Sequence, residues 1–288
     1  MQQVHRVTTS SPDSGSSVTG AGSPVIAIDG LRKSFGPRTI IERLDLCVPA
    51  GESLALIGAN GTGKSTLLRM IVRLAEADQG RLSVLGETVG DLSGSALKRF
   101  RARVGVVFQK HNLVARLSAL SNVVHGVQAR RSGPRTWAQS LAPAAVRDEA
   151  MACLEAVGLA DKALQRADSL SGGQSQRVAI ARMLMQRPEL VLADEPDASL
   201  DPRAGREIME LLFRLTRDKG LTLVFVSHHM AHALRFSDRI VGLGGGTIAL
   251  DRRAGHCTEA ELAAFFEEPG DGGEPQEEPA RAPAPVFA

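Results

Sequence analysis

The most chemically specific stretch of the chain is Gly58-Ala59-Asn60-Gly61-Thr62-Gly63-Lys64-Ser65, a GxxxxGK[ST] pattern between an apolar run and a helical one. Its glycines let the backbone curl with the N–H groups turned inward, which makes an anion cradle at a helix N-terminus. In such a loop Lys64 reaches the β- and γ-phosphates of a nucleotide, and the Ser65 hydroxyl ligates Mg²⁺. A second stretch supplies acids. Leu190-Val191-Leu192-Ala193 is apolar and ends in Asp194-Glu195, two carboxylates at the C-terminal end of an expected strand, where parallel sheets place ligands. Asp194 is expected to hold the metal through water. Glu195, pointing differently along the chain, is expected to polarise an attacking water.

A third stretch, Leu170-Ser171-Gly172-Gly173-Gln174-Ser175-Gln176-Arg177, provides another anion site. Ser171 is an N-cap, and the bare amides of Gly172 and Gly173 head a helix expected to run to about Gln186. The chain then carries two phosphate-binding surfaces for one nucleotide. The simplest arrangement is a head-to-tail dimer, with each nucleotide between one copy's phosphate loop and the other copy's Ser171 helix.

Phosphate loop, strand-end acids and the LSGGQ stretch together resemble the ATP-binding cassette family over roughly Val25 to Phe266. The resemblance implies an α/β fold: a P-loop core with a mainly parallel sheet, an N-terminal antiparallel β-subdomain and an inserted α-helical subdomain at about 97–186. It implies ATP and Mg²⁺ as ligands and assigns further positions. Phe35, in Lys33-Ser34-Phe35-Gly36, falls where the family stacks a ring on adenine, and in a chain without tyrosine Phe must serve. Asn60 and Thr66 belong to the phosphate-binding set. Gln109 matches the loop that senses Mg²⁺ and γ-phosphate, and Asp201, in Ser199-Leu200-Asp201, the loop that crosses the dimer. His228, in Val226-Ser227-His228, resembles the histidine that holds the γ-phosphate. Its neighbour His229 is the competing assignment, the spacing to Asp238 favours His228, and His229 and His232 are expected at the surface. Catalysis is thereby assigned to Glu195, His228, Lys64 and Gln109, and metal binding to Ser65, Gln109 and Asp194.

Phe108-Gln109-Lys110-His111-Asn112-Leu113-Val114, Gln165-Arg166-Ala167-Asp168-Ser169 and Ala233-Leu234-Arg235-Phe236 are similar to the phosphonate-import ATPases, as is the single Trp137. The implied partners are a second copy of the chain, integral membrane permease subunits and, through them, a periplasmic or extracellular solute-binding protein. No nucleic acid is expected. The implied location is the cytoplasmic face of the inner membrane. Other members, of amino-acid or lipoprotein-release type, and non-transport cassettes would share the ATP-handling residues. Asp197 and Ser175 depart from the pattern, and Asp197 is expected to bring negative charge beside Glu195.

These residues need a scaffold. Hydrophobic residues make up 43% of the 288, enough for a sizeable core. Strands are expected at Val25–Asp29, Leu44–Val48, Ser53–Ile57, Glu189–Ala193 and Leu221–Val226, with a late hairpin of 239–243 and 247–250 around Gly244-Gly245-Gly246. Helices are expected from Lys64 to about Leu74, over Ala145–Val157, and after a capping box of Thr258 and Glu261; the pattern breaks near Pro134 and Trp137. Residues 1–24 and 267–288 are too polar to offset ordering entropy and are expected as flexible tails. The last stretch sets six acidic residues against one Arg281, so the rest of the chain is more basic than the formal +2. Cys47, Cys153 and Cys257 have unrelated spacings, which points to reduced thiols rather than a metal site. No run approaches the roughly eighteen apolar residues that span a bilayer, and no apolar leader opens the chain.

Overall fold

The computed structural model describes residues 23–109, 111–130 and 141–267. The expected tails, Lys110, and the stretch around Pro134 and Trp137 fall almost wholly outside the described residues.

Two sheets share the work of positioning the site. The larger has six strands: β3 (Ser53–Ile57), β6 (Val104–Phe108), β7 (Leu190–Asp194), β8 (Thr222–Val226), β9 (Arg239–Gly244) and β10 (Thr247–Arg253). Their order is β10-β9-β3-β8-β7-β6, parallel throughout except for the β9–β10 hairpin. Parallel strands bury both faces, and alternate residues separate two cores. Ile57, Val191, Ala193, Leu223 and Phe225 face one core, with helices α3 (Ala119–Val124), α4 (Ala144–Ala156), α5 (Gly172–Met185) and α6 (Pro202–Asp218). Leu54, Leu56, Leu190, Leu192, Val224 and Val226 face the other, with α1 (Lys64–Ile71), α2 (Gly94–Arg103) and the smaller sheet.

That smaller sheet is antiparallel, ordered β2-β1-β4-β5, from β1 (Ile26–Phe35), β2 (Arg38–Val48), β4 (Gln79–Val84) and β5 (Glu87–Thr88). It docks on the larger sheet where Glu42 N–H donates to the Gly246 carbonyl at 2.8 Å. A Cβ at Gly246, whose φ is +76°, would lie 3.0 Å from Glu42 backbone nitrogen, so glycine permits the approach. The architecture is the expected α/β one.

Several expected elements differ in extent. The first two strands run on to Phe35 and start from Arg38, meeting at the Gly36-Pro37 turn, because antiparallel pairing carries them through polar residues that alternation alone would exclude. Helix α1 stops at Ile71, three residues short of Leu74, and Arg73 then takes φ +53°. The segment 97–186 is not helical throughout: it contains β6, an apolar β-branched run bonded in parallel to β7. The late hairpin forms, and so does the Thr258–Glu261 capping box ahead of α8 (Glu259–Glu267), with Glu261 N–H donating to Thr258 Oγ1 at 3.3 Å.

Candidate functional site

The phosphate loop leaves β3, every residue of which is buried, and enters α1. Gly58, at φ +141°, could carry no side chain, since a Cβ would meet the Leu243 carbonyl oxygen at 2.4 Å. Gly63 is the N-cap of α1 in the left-handed region, φ +99°. Lys64 lies inside the loop, 5% exposed, and its ammonium donates to the carbonyls of Gly58 and Ala59 at 2.8 Å each. Burial pulls that ammonium below its ordinary value, against the opposing charges of Glu195 and Asp194. Asn60 and Gly61 are exposed at the rim, and Thr66 is half-buried one residue past Ser65.

Strands β3 and β7 are separated only by β8, so the phosphate loop and the strand-end acids share one edge of the sheet. Ser65 Oγ donates to Asp194 Oδ1 at 2.9 Å. Burial pushes the Asp194 carboxyl up, while the Ser65 hydroxyl bond pulls it down. A hydroxyl and a carboxylate oxygen in contact fit Mg²⁺, a hard cation that takes one or two protein oxygens and completes its octahedron with water and substrate phosphates. Gln109 follows β6 immediately and is exposed; the residue before it, Phe108, pairs with Asp194.

Glu195 has φ +48°, a left-handed conformation that costs a non-glycine residue of the order of 1 kcal/mol. The turn swings its carboxylate away from Asp194 and onto His228, whose Nε2 lies 2.7 Å from Glu195 Oε1. An ionised carboxylate only accepts, so the proton of that bond sits on Nε2. The structure thus brings His228, not His229, onto the acid.

Two expectations fail nearby. His232 is not a surface residue: its side chain is 12% exposed and its Nδ1 lies 2.7 Å from Asp197 Oδ2. Nor does Asp197 turn its charge to Glu195. Its carboxylate faces His232, with His229 Nε2 at 3.9 Å. His229, 59% exposed, does lie at the surface.

Ser171 forms a reciprocal capping box with Gln174: Gln174 N–H donates to Ser171 Oγ at 3.3 Å, and Ser171 N–H to Gln174 Oε1 at 3.0 Å. Gly172 and Gly173 open α5 beside Leu200 and Ala204, along an open cleft of about 510 Å³ that Asp201 also lines. Asp201 caps α6, its Oδ1 accepting from Arg203 and Ala204 N–H at 3.1 and 3.0 Å. Phe35 is 54% exposed at the end of β1, its ring under the Lys33 ammonium at 4.9 Å, and Asp78 holds that ammonium at 2.9 Å. An exposed ring of this kind offers a π-face on which a base could stack.

Sequence reasoning missed three supports. Gln176 Nε2, fully buried in α5, donates to the Pro196 carbonyl at 2.8 Å. Arg182, also on α5, donates to the His111 and Asn112 carbonyls at 3.0 and 2.7 Å, fixing the segment after Gln109. Arg38 brings its guanidinium to within 3.5 Å of where a Cβ on Gly61 would be. Only Arg38 had a visible signal, a cation three residues past the candidate stacking ring.

A glycine-rich phosphate loop, a serine–aspartate pair at its mouth and a glutamate–histidine pair beside it define a P-loop ATPase. The chain belongs to the ABC transporter family, whose model matches residues 41–198, and as a member it binds and hydrolyses ATP. It is 44% identical over 241 residues to the phosphonates import ATP-binding protein PhnC of Frankia casuarinae, covering 84% of this chain and 95% of that one. Identity to the phosphate-import ATP-binding protein PhnC of Mycolicibacterium smegmatis is 47% over 250 residues, 87% of this chain and 94% of the relative. Among solved structures, a dimeric post-hydrolysis ATP-binding cassette bound to ADP and Pi superposes with a TM-score of 0.70 at 31% identity, covering 80% of this chain and 98% of that one. Among the described residues, no helix is long and apolar enough to cross a membrane.

Proposed function

We propose that the chain is the ATP-hydrolysing subunit of an importer of phosphonate-type solutes, working as a homodimer beneath membrane permease subunits on the cytoplasmic face of the inner membrane. The observation that carries this reading is the set of relatives at 43–48% identity, most of them phosphonates import ATP-binding proteins by name, matched over 83–95% of their own length. A solute-binding protein outside the membrane would deliver the solute to the permease.

The residues divide the hydrolytic work as follows. Phe35 stacks on adenine, and the N–H groups from Gly58 through Thr66 cradle the phosphates at the N-terminus of α1. Lys64 exchanges its two carbonyl partners for the β- and γ-phosphate oxygens. Ser65 and Asp194, with Gln109, would hold Mg²⁺, which when bound neutralises the phosphate charge. Glu195 accepts a hydrogen bond from the attacking water and aligns it in line with the leaving oxygen. His228, a donor through Nε2, turns from Glu195 to the γ-phosphate. The Ser171 cap and the Gly172 and Gly173 amides of the second copy close the site from the other side, with Asp201 at the seam. Once the γ-phosphate is released, the charge that held the two copies together is gone, and they separate; the segment after Gln109 passes that motion to the permease.

The printed name of the Mycolicibacterium smegmatis relative favours inorganic phosphate as a second reading. Cells lacking the chain, complemented by the wild-type protein or by Lys64→Ala, separate the two. Growth on methylphosphonate as sole phosphorus source is expected only with the wild type, and growth on limiting phosphate in both. Uptake of methylphosphonate independent of the chain would overturn the proposal. A defect confined to limiting phosphate would establish the second reading.

A further inference from the structure

We infer that Asp197 and His232 are positioning residues for ATP hydrolysis: their hydrogen bond ties the loop that carries Glu195 to the helix that follows His228. The inference rests on the roles given to Glu195 and His228 above.

The two residues lie on different segments, and each segment bears one member of the Glu195–His228 pair. Asp197 belongs to the seven-residue loop Glu195–Asp201 between β7 and α6. Two turns compact that loop, Ala198 N–H donating to the Glu195 carbonyl at 3.3 Å and Leu200 N–H to the Asp197 carbonyl at 3.1 Å. Helix α5 grips it through Gln176 on the Pro196 carbonyl, and α6 grips it through Asp201. Asp197 supplies a third tether, its Cβ backed against Gly205 of α6 and its carboxylate turned the other way, onto His232.

His232 sits in α7 (Met230–Phe236), which follows Ser227-His228-His229 directly. This helix is seven residues long and its N-cap, His229, makes no side-chain capping bond. A helix so short gains little from its own hydrogen bonds and depends on what it packs against. Ala233 and Phe236 anchor it in the core and Arg235 reaches Glu210 of α6 at 2.6 Å, while His232 adds the tether to the Glu195 loop, its ring bonding Asp197 and packing against Phe236 at 5.7 Å and His229 at 5.0 Å. Asp197 is only 3% exposed, and among the described residues the groups facing its carboxylate are the rings of His232 and His229. Removing the imidazole would take away the one hydrogen-bond partner seen for a buried carboxylate among the described residues and leave only the more distant His229 ring, which weakens the hold between loop and helix. The consequence falls on the neighbouring bond, because His228 lies between buried Ser227, which follows β8, and the start of α7, so a shift of α7 moves one side of its support.

The chemistry of the bond supplies a discriminating test. It uses Nδ1, so an asparagine amide at 232 can replace the donor, whereas a glutamine amide stands where Nε2 was, too far out. Steady-state kcat and KM for ATP, and affinity for a fluorescent ATP analogue, are measured on the full chain at 25 °C. The variants are Asp197→Ala, His232→Ala, the double variant, His232→Asn and His232→Gln, with His228→Ala as control. Each alanine single is expected to lose at least tenfold in kcat, with KM and analogue affinity within twofold of wild type. The double variant should be no worse than the lower single, and Asn, not Gln, should restore activity. The inference is overturned if kcat stays within twofold in Asp197→Ala, if the two losses multiply, or if analogue affinity falls in step with kcat. Should Asp197→Ala fail to fold, equal activity of His232→Asn and His232→Gln overturns it. A fully active His228→Ala would refute the underlying assignment, whereas an inactive His228→Ala beside an active Asp197→Ala refutes only the tether.

Discussion

Replacing Glu195 by glutamine separates chemistry from architecture at this site. The substitution keeps the shape of the side chain and an acceptor oxygen for His228 Nε2, now at 2.7 Å. What changes in the fold is one charge-assisted hydrogen bond becoming a neutral one, about 1 kcal/mol before screening. Both side chains are partly exposed, 33% for His228 and 22% for Glu195, which reduces that figure further. In a domain of this size the melting temperature should move by about 3 °C at most. Loss of the carboxylate that aligns the water should cost roughly 10²- to 10⁴-fold in turnover, or about 3–5 kcal/mol of barrier. The assay is phosphate release at saturating ATP and Mg²⁺, run beside light scattering to follow association. Turnover should collapse while nucleotide binding persists, and an ATP-dependent dimer should accumulate. Hydrolysis within tenfold of wild type would refute the assignment of Glu195, and loss of nucleotide binding would refute the claim that the change is confined to chemistry.

Three further outcomes are expected. Asp194 has its folded pKa raised above the ordinary 3.8 by burial, so folding favours its protonated form and stability contributed there is lost as pH rises through the raised value. In metal-free buffer Asp194→Asn should therefore melt higher than wild type at pH 7, the gap closing as pH falls toward 3.8; a lower melting temperature at pH 7 would contradict this. Cys153, its thiol pushed up to about 11 by burial, should be only about one part in a thousand thiolate at pH 8, and mass spectrometry after brief iodoacetamide treatment should find exposed Cys47 alkylated and Cys153 not. Gly58→Ala drives a Cβ to 2.4 Å from the Leu243 carbonyl oxygen at φ +141°, and should lower the melting temperature measurably and weaken ATP binding at least tenfold; unchanged binding would show that the loop shifts freely.

What could be read from the sequence followed from how local the cause was. The phosphate loop, the Ser171 cap and the Thr258 capping box are set within eight residues by backbone conformation and short-range hydrogen bonds, so their pattern is nearly their structure. Strand β6 is also compact, but Val104–Phe108 is a five-residue apolar run that could serve a helix or a sheet, and its pairing with β7 lies more than 80 residues away. The continuation of β1 through Arg32, Lys33 and Ser34 was hidden because one face of that sheet meets solvent and the register shifts at bulges. His232 was hidden by a distant cause as well: one turn from His228 it has the local look of a surface residue, and the carboxylate that hydrogen-bonds it lies 35 residues earlier. Helix α6 has a legible start, Asp201 before Pro202 at the first helical position, and the same aspartate also fits the loop that crosses the dimer, so one residue serves two readings.

The central claim is a composite ATP site, half of it on a second copy of the chain. The measurement that tests it most directly is the structure of the Glu195→Gln variant with ATP and Mg²⁺. It should contain a two-fold dimer in which Ser171 Oγ of one copy lies at about 3 Å, hydrogen-bond distance, from the γ-phosphate held by Lys64 of the other. An ATP-loaded monomer, or a dimer in which Ser171 points away from either nucleotide, would contradict it.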